Sequence, residues 1–250
     1  QQERRREMRA IVDWRLEQCA KRGVAFHFNS WAEPEDVLAT DPDAVIVATG
    51  GLPHAAILDQ GNDLVVSAWD ILAGDTRPAA SILVFDDAGD HAGLQAADLA
   101  AAAGSAVEIV TPDRSFAPEV MAMNLVPYIR SLQARAARFT VTWRLRSVTR
   151  DGNRLIATLG SDYGAAEQTR SIDQVVVNHG TRPLDDLYLA LRPLSRNLGA
   201  VDHAALVAGA PQAAIRNPDG RFQLFRIGDA VAARNIHAAI YDALRLVKDL

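Results

Sequence analysis

Three short segments carry residue types and spacings that suit a nucleotide. The first closes an apolar run, Val45-Ile-Val-Ala-Thr-Gly-Gly51, where Ala48, Thr49 and Gly50 let backbone come close to a ligand. The second is Phe225-Arg-Ile-Gly-Asp-Ala230. There Gly228 permits close approach and Asp229 accepts hydrogen bonds from a polyol or ribose, with Ala230 beside them. The helix that follows offers unpaired N–H groups and partial positive charge around Asn235 and His237. The third is the loop Asp86–Gly93, placed between a strand and a helix where a G-x-G-x-x-G cradle holds a pyrophosphate. Its cradle positions are Ala88, Asp90 and Gly93, with Gly89 between the first two, so only the third glycine remains. Asp86, Asp87 and Asp90 put carboxylates where phosphates would lie. At an effective dielectric of about 20, a carboxylate about 5 Å from a phosphate costs roughly 3 kcal/mol. Thr111 stands where the next strand would supply a carboxylate for a ribose hydroxyl. Read alone, the first segment is also a strand ending in a tight turn, and Asp229 is also an N-cap or turn residue.

The elements around these segments follow from hydrophobic period. Met8, Ile11/Val12, Leu16 and Cys19 predict an amphipathic helix over about 3–21, closed by Gly23. Val24–Phe28 alternates as a strand does. A short helix over 35–40 precedes a buried parallel strand at 44–48. Pro78 opens a new unit: strand 81–85, the acidic loop, an alanine-rich helix over about 94–103, then strand 106–110, the size of a βαβ unit. A helix over 128–137 leads to strands 139–143, 147–150 and 154–159, the last two forming a hairpin around Asp151-Gly152-Asn153. A buried strand begins at Gln174. Strand 221–227 runs into Gly228-Asp229. A final helix over 236–248 sets Ile236, Ile240, Ala243/Leu244 and Val247 on one face. The fold class is α/β, with mostly parallel sheets and helices on both faces.

Composition bounds the chemistry. The 250 residues are 23% charged and 49% hydrophobic, too apolar for a disordered chain. A net charge of −5 argues against nucleic acid as a partner. No apolar run is long enough to span a bilayer, and the charged N-terminus lacks the core of a secretion signal. Cys19 is the single cysteine, which excludes an internal disulfide and a self-contained iron–sulfur cluster. The expected setting is cytoplasmic. The histidines show no metal-ligand spacing; His237, near the Gly-Asp motif, and His179, in a strand-end turn, stand out. Ser67, Ser131 and Ser195 lack a G-x-S-x-G context. The four tryptophans read as packing anchors.

The order of the segments is more specific than any one of them. Ala48-Thr49-Gly50 is followed by an inserted βαβ unit, then Val175-Val-Val-Asn-His-Gly-Thr-Arg-Pro183, then Ile227-Gly228-Asp229. This order resembles the glutathione-reductase-like flavoproteins, which carry two dinucleotide domains. Further stretches sharpen it: Asp70-Ile-Leu-Ala-Gly-Asp75, Phe116-Ala-Pro-Glu-Val120, Gly160-Ser-Asp-Tyr163, Pro193-Leu-Ser-Arg-Asn197 and Asn235-Ile-His-Ala-Ala-Ile-Tyr241. With these, the whole chain is similar to the C-terminal part of the trimethylamine dehydrogenase and 2,4-dienoyl-CoA reductase family, most like the branch that demethylates N-methylproline, stachydrine or dimethylglycine.

The resemblance implies a pair of doubly wound, Rossmann-like domains. An FAD- or ADP-type domain would span 1–75 and 173–250, lacking its first strand and glycine loop. An inserted NAD(P)-like domain with a degenerate glycine loop would span 76–172. By position, Ala48, Thr49 and Gly50 would line the adenosine-diphosphate side and Asp229 would bind ribitol or the phosphate region. Gly228, Ala230 and Asn235–His237 would face the pyrophosphate or the flavin edge. FAD or ADP is the implied ligand, weakened by the missing loop. FMN on a (β/α)8 barrel and a 4Fe-4S cluster are implied only for the full-length protein. The chain is then a fragment, inactive alone, whose partners are the rest of its parent chain and an external electron acceptor. Self-association through a face left open is also expected. Two alternatives stand beside this: an NAD(P)H-binding part of a dienoyl-CoA-reductase-like flavoprotein, and a non-catalytic interaction module.

Overall fold

A computed structural model describes residues 3–248 and 250. The chain forms two compact units, one of residues up to Val24 with Pro53–Gly180, the other of Ala25–Leu52 with Thr181–Leu250. The helix α1 (Ala10–Lys21) follows a 3₁₀ turn, Glu3–Arg9, and buries no residue. Val24–Phe28 forms no strand; Phe26 and Phe28 stack their rings at 5.3 Å and stay exposed. An alternating segment becomes a strand only when a neighbouring strand pairs with it, and no described strand does so here. Then come α2 (Pro34–Ala39), β1 (Ala44–Val47) and β2 (Gly51–Pro53). The Asp36 carboxylate takes the Glu33 N–H at 3.0 Å and Pro34 opens the first turn of α2.

The first unit continues with β3 (Val65–Ser67), α3 (Ala68–Ala73), β4 (Ser81–Asp86), α4 (His91–Ala102), β5 (Ala106–Val110), α5 (Ala122–Ala134) and β6 (Arg138–Thr140). It ends with β7 (Arg144–Asp151), β8 (Arg154–Gly160), β9 (Glu167–Ile172) and β10 (Gln174–Asn178). The parallel sheet runs β3-β10-β4-β5-β6. Because β3 and β10 both hydrogen-bond within the sheet of β4, this unit reaches from 53 to 180 rather than from 76 to 172. Side chains alternate across β4. Ile82 and Val84 pack with α4 and α5, whereas Leu83 and Phe85 pack against Val148, Ala157 and Leu159 of the antiparallel sheet β7-β8-β9. Helices therefore cover one face of the five-stranded sheet and a sheet covers the other, in place of helices on both. The hairpin turns at Gly152-Asn153, with Asp151 opposite Arg154.

The second unit resumes with β11 (Thr181–Pro183), α6 (Asp186–Leu191), α7 (His203–Ala208), β12 (Gln223–Arg226) and α8 (Ile236–Val247). The parallel strand expected at 44–48 is β1, but it pairs only with β12 and only Val47 is buried. The far edge of β12 is closed by a side chain. Asn197, 1% exposed, accepts the Leu224 N–H at 2.9 Å and donates to the Leu224 carbonyl at 2.8 Å, copying a strand. The Arg196 N–H adds a bond of 2.7 Å to the Phe222 carbonyl. Leu224, Phe222, Val47, Tyr188 and Leu191 form the core beneath.

No helix among the described residues is long and apolar enough to cross a membrane. Asn197→Ala strands a buried N–H and carbonyl, so urea titration should show a loss of about 2 kcal/mol. Arg221→Ala, at a side chain 84% exposed, should change almost nothing.

Candidate functional site

Ligands of parallel sheets meet the carboxyl ends of the strands. Pairing Val47 with Arg226 in parallel brings the ends of β1 and β12 out at one edge. A cavity of about 310 Å³ opens there, at the small end of ligand-site sizes. Ala48, Gly50, Gly228, Asp229 and Asn235 line it, joined by Arg234 and by Ile236 and Ala239 of α8.

The turn into α8 is held by its own side chains. Gly228 has φ +61°, which favours glycine, and a Cβ there would sit 3.3 Å from the Ala239 Cβ. Its N–H donates to Asp242 Oδ2 at 3.1 Å, so that group points into α8. Asp229 accepts the Arg234 N–H at 3.2 Å. Asn235 caps α8 by accepting the Ala238 N–H at 2.9 Å, and of the preceding N–H groups, which have no intrahelical partner, that of Ile236 belongs to a residue lining the cavity.

The remaining segment residues lie elsewhere. Thr49 donates its hydroxyl to the Leu184 carbonyl and lines a second cavity of about 450 Å³ with Trp31 and Asp186. Ala230 is fully buried in the core of this unit. His237 is exposed and does not line the cavity. The helix α8 is turned away from its apolar stripe: Ile236, Ile240, Leu244 and Val247 are exposed and only Leu246 is buried. The inward face is Ala239, Asp242 and Leu246, with a carboxylate at its centre that a hydrophobic periodicity does not pick out. Arg226 was also unmarked by sequence. It pairs with Asp185 and lies 4.7 Å over the Tyr188 ring, tying the end of β12 to α6.

The acidic loop of the first unit is shorter than expected, because α4 begins at His91 and takes in Gly93. Its interior is filled with protein. Asp86, 2% exposed, accepts the Gly89 N–H at 3.0 Å and Asn178 Nδ2 at 2.8 Å. Asp90 caps α4 through the Ala92 N–H at 2.8 Å and takes Asn178 Nδ2 at 2.9 Å. A Cβ on Gly93 would lie 2.6 Å from the Asp86 carboxyl carbon, and one on Gly89 2.6 Å from Pro118. Asp87 pairs with Arg144 at 2.9 Å and lies 2.9 Å from His179 Nδ1. Ala88 donates its N–H to the Asn178 carbonyl at 3.1 Å. Burial pushes the Asp86 carboxyl up from 3.8 to about 7, helped by Asp90 and Asp87 and opposed by the bonds from Asn178 and Gly89. Among the described residues, no group of three His, Cys, Asp or Glu side chains is placed to hold a metal.

No family model matches the chain. It is 64% identical over 250 residues to a probable N-methylproline demethylase of Rhizobium meliloti (strain 1021), covering 100% of this chain and 37% of that protein. An N,N-dimethylglycine/sarcosine dehydrogenase of Chromohalobacter salexigens is 40% identical over 256 residues, covering 98% of this chain and 37% of its own length. The chain thus spans 37% of the length of these curated relatives. A 2-naphthoyl-CoA reductase matches with TM-score 0.75 at 19% identity, covering 98% of this chain and 32% of its own. Histamine dehydrogenase from Rhizobium sp. 4-9 matches with TM-score 0.72 at 20% identity, covering 95% and 35%. The two structures share the α/β fold with this chain, and the two sequence relatives are similar to it along almost its whole length.

The folded Asp86 carboxyl holds its proton to about pH 7, whereas the unfolded one loses it near 3.8. Stability from this group is complete below about pH 4 and is lost as pH rises toward 7. Asp86→Asn should flatten that slope. Relative to the parent chain, the variant should gain about 2–3 kcal/mol between pH 5 and pH 8 in urea titrations.

Proposed function

We propose that this chain is the nucleotide-binding part of a larger flavin-dependent oxidoreductase that demethylates methylated amines. The observation that carries the reading is 64% identity along the entire chain to a probable N-methylproline demethylase. The two units correspond, in this reading, to a pair of Rossmann-like domains. The FAD- or ADP-type site is the 310 Å³ cavity of the second unit.

The residues present there fit part of a nucleotide. Ala48 and Gly50 leave room for a ligand, Asp229 offers carboxylate oxygen to a hydroxyl, and the first N–H groups of α8 suit a phosphate. The cavity volume suits one portion of FAD rather than all of it. A flavin bound there would supply electron transfer, and ADP would supply only a scaffold. The chain's own part is to bind and orient. Amine oxidation belongs to the rest of the parent protein, with FMN on a barrel and a 4Fe-4S cluster that Cys19 alone cannot ligate. Electrons would pass from there to an external acceptor, with this chain contributing docking surface in a cytoplasmic setting.

The acidic loop supports the view that NAD(P)H is not the partner. Asp90 already caps α4, and the buried Asp86 carboxyl fills the space behind it with its own bonds to Gly89 and Asn178, so the loop leaves no room for a phosphate. Isothermal titration of the purified chain should show saturable ADP binding. Asp229→Ala should weaken it about tenfold, the size of one hydrogen bond to a charged group. NADH and NADPH should show no saturable binding to the first unit. Micromolar NADPH binding abolished by changes at Asp86–Gly93 would replace this reading with the dienoyl-CoA-reductase-like one.

A further inference from the structure

We infer that Asp242, in the middle of α8, is the positioning residue of the second unit's nucleotide site, by taking the Gly228 N–H and the Arg234 guanidinium on one carboxylate. This rests on the nucleotide reading of the 310 Å³ cavity. Asp242 Oδ2 accepts the Gly228 N–H at 3.1 Å and a hydrogen bond from Arg234 Nη2, while Oδ1 lies 3.3 Å from Arg234 Nη1. A two-pronged guanidinium–carboxylate pair fixes orientation as well as distance. The Arg234 backbone N–H in turn reaches Asp229 Oδ1 at 3.2 Å. The loop from 228 to 234 is therefore tied at both ends to one helical carboxylate.

Two consequences follow for the ligand. Gly228 N–H faces the protein, so a phosphate must be met by the first N–H groups of α8. Arg234 lines the cavity with its charge already balanced by Asp242, and it borders a neighbouring cavity of about 380 Å³ as well. The site thus favours a ligand group that needs dipoles and a carboxylate acceptor, such as a ribose phosphate, over a bare multivalent anion seeking a free guanidinium. Asp242 itself touches no ligand; it acts through the turn.

The test is amide hydrogen exchange by NMR on the whole chain, read with ADP titration. In the parent chain the Gly228 amide should exchange at least tenfold more slowly than an open loop amide. In Asp242→Ala that protection should disappear and ADP should bind about tenfold more weakly. Asp242→Asn keeps an oxygen acceptor at the same place, so it should recover the protection and bring ADP affinity within about threefold of the parent. Rapid exchange at Gly228 in the parent chain overturns the assignment without any variant, even where Asp242→Ala fails to fold. Unchanged ADP affinity in a folded Asp242→Ala also overturns it. If the parent chain binds no ADP while Gly228 protection is lost in Asp242→Ala, the carboxylate sets the turn and the nucleotide reading is the part that fails.

Discussion

The second unit depends on the parallel pairing of β1 with β12, two four-residue strands separated by most of the chain. A two-stranded sheet offers few hydrogen bonds against the entropy of closing so long a loop. It holds because its outer edge is completed by Asn197, whose amide bonds both polar groups of Leu224, and because Leu224 and Val47 sit in one core. Everything at the cavity follows from that register. The Ala48-Thr49-Gly50 turn and the Gly228-Asp229 turn share an edge only because Val47 lies opposite Arg226.

The two strand-to-helix junctions solve the same electrostatic problem in opposite ways. A helix N-terminus presents N–H groups that need an acceptor. At α4 the protein supplies its own: Asp90 caps the first turn and Asp86 fills the space behind it, at the cost of a buried carboxyl that keeps its proton to about pH 7. At α8 the cap is the neutral Asn235, and the nearby carboxylate Asp242 is spent on Gly228 and Arg234. The first junction is thus filled by its own carboxyl groups, one of them protonated and one paired with Arg144, whereas the second stays open beside a carboxylate paired with Arg234.

The same clamp explains the rotation of α8. Close contact between Gly228 and Ala239, together with the Asp242 bonds, turns Ala239, Asp242 and Leu246 inward. The apolar stripe Ile236, Ile240, Leu244 and Val247 is left in solvent, as is the apolar side of α1. Exposed stripes of this kind mark surfaces suited to a partner.

The sequence by itself determined the periods, and with them most elements. The continuous apolar runs at Ala44–Val47, Ser81–Phe85 and Gln174–Val177 are strands of parallel sheets, and alternation at 147–159 is a hairpin. It also determined that three carboxyl groups, Asp86, Asp87 and Asp90, fall in the turn between β4 and α4, whereas only burial in the fold decided that Asp86 keeps its proton to about pH 7. Only the tertiary structure decided partners. Val24–Phe28 alternates like a strand yet has none beside it; β10 joins β4 and so enlarges the first unit; Asn197 stands in for a strand that no pattern announces. Period fixes which residues share a face, whereas pairing across long separations and the inward face of α8 depend on contacts that no local pattern contains.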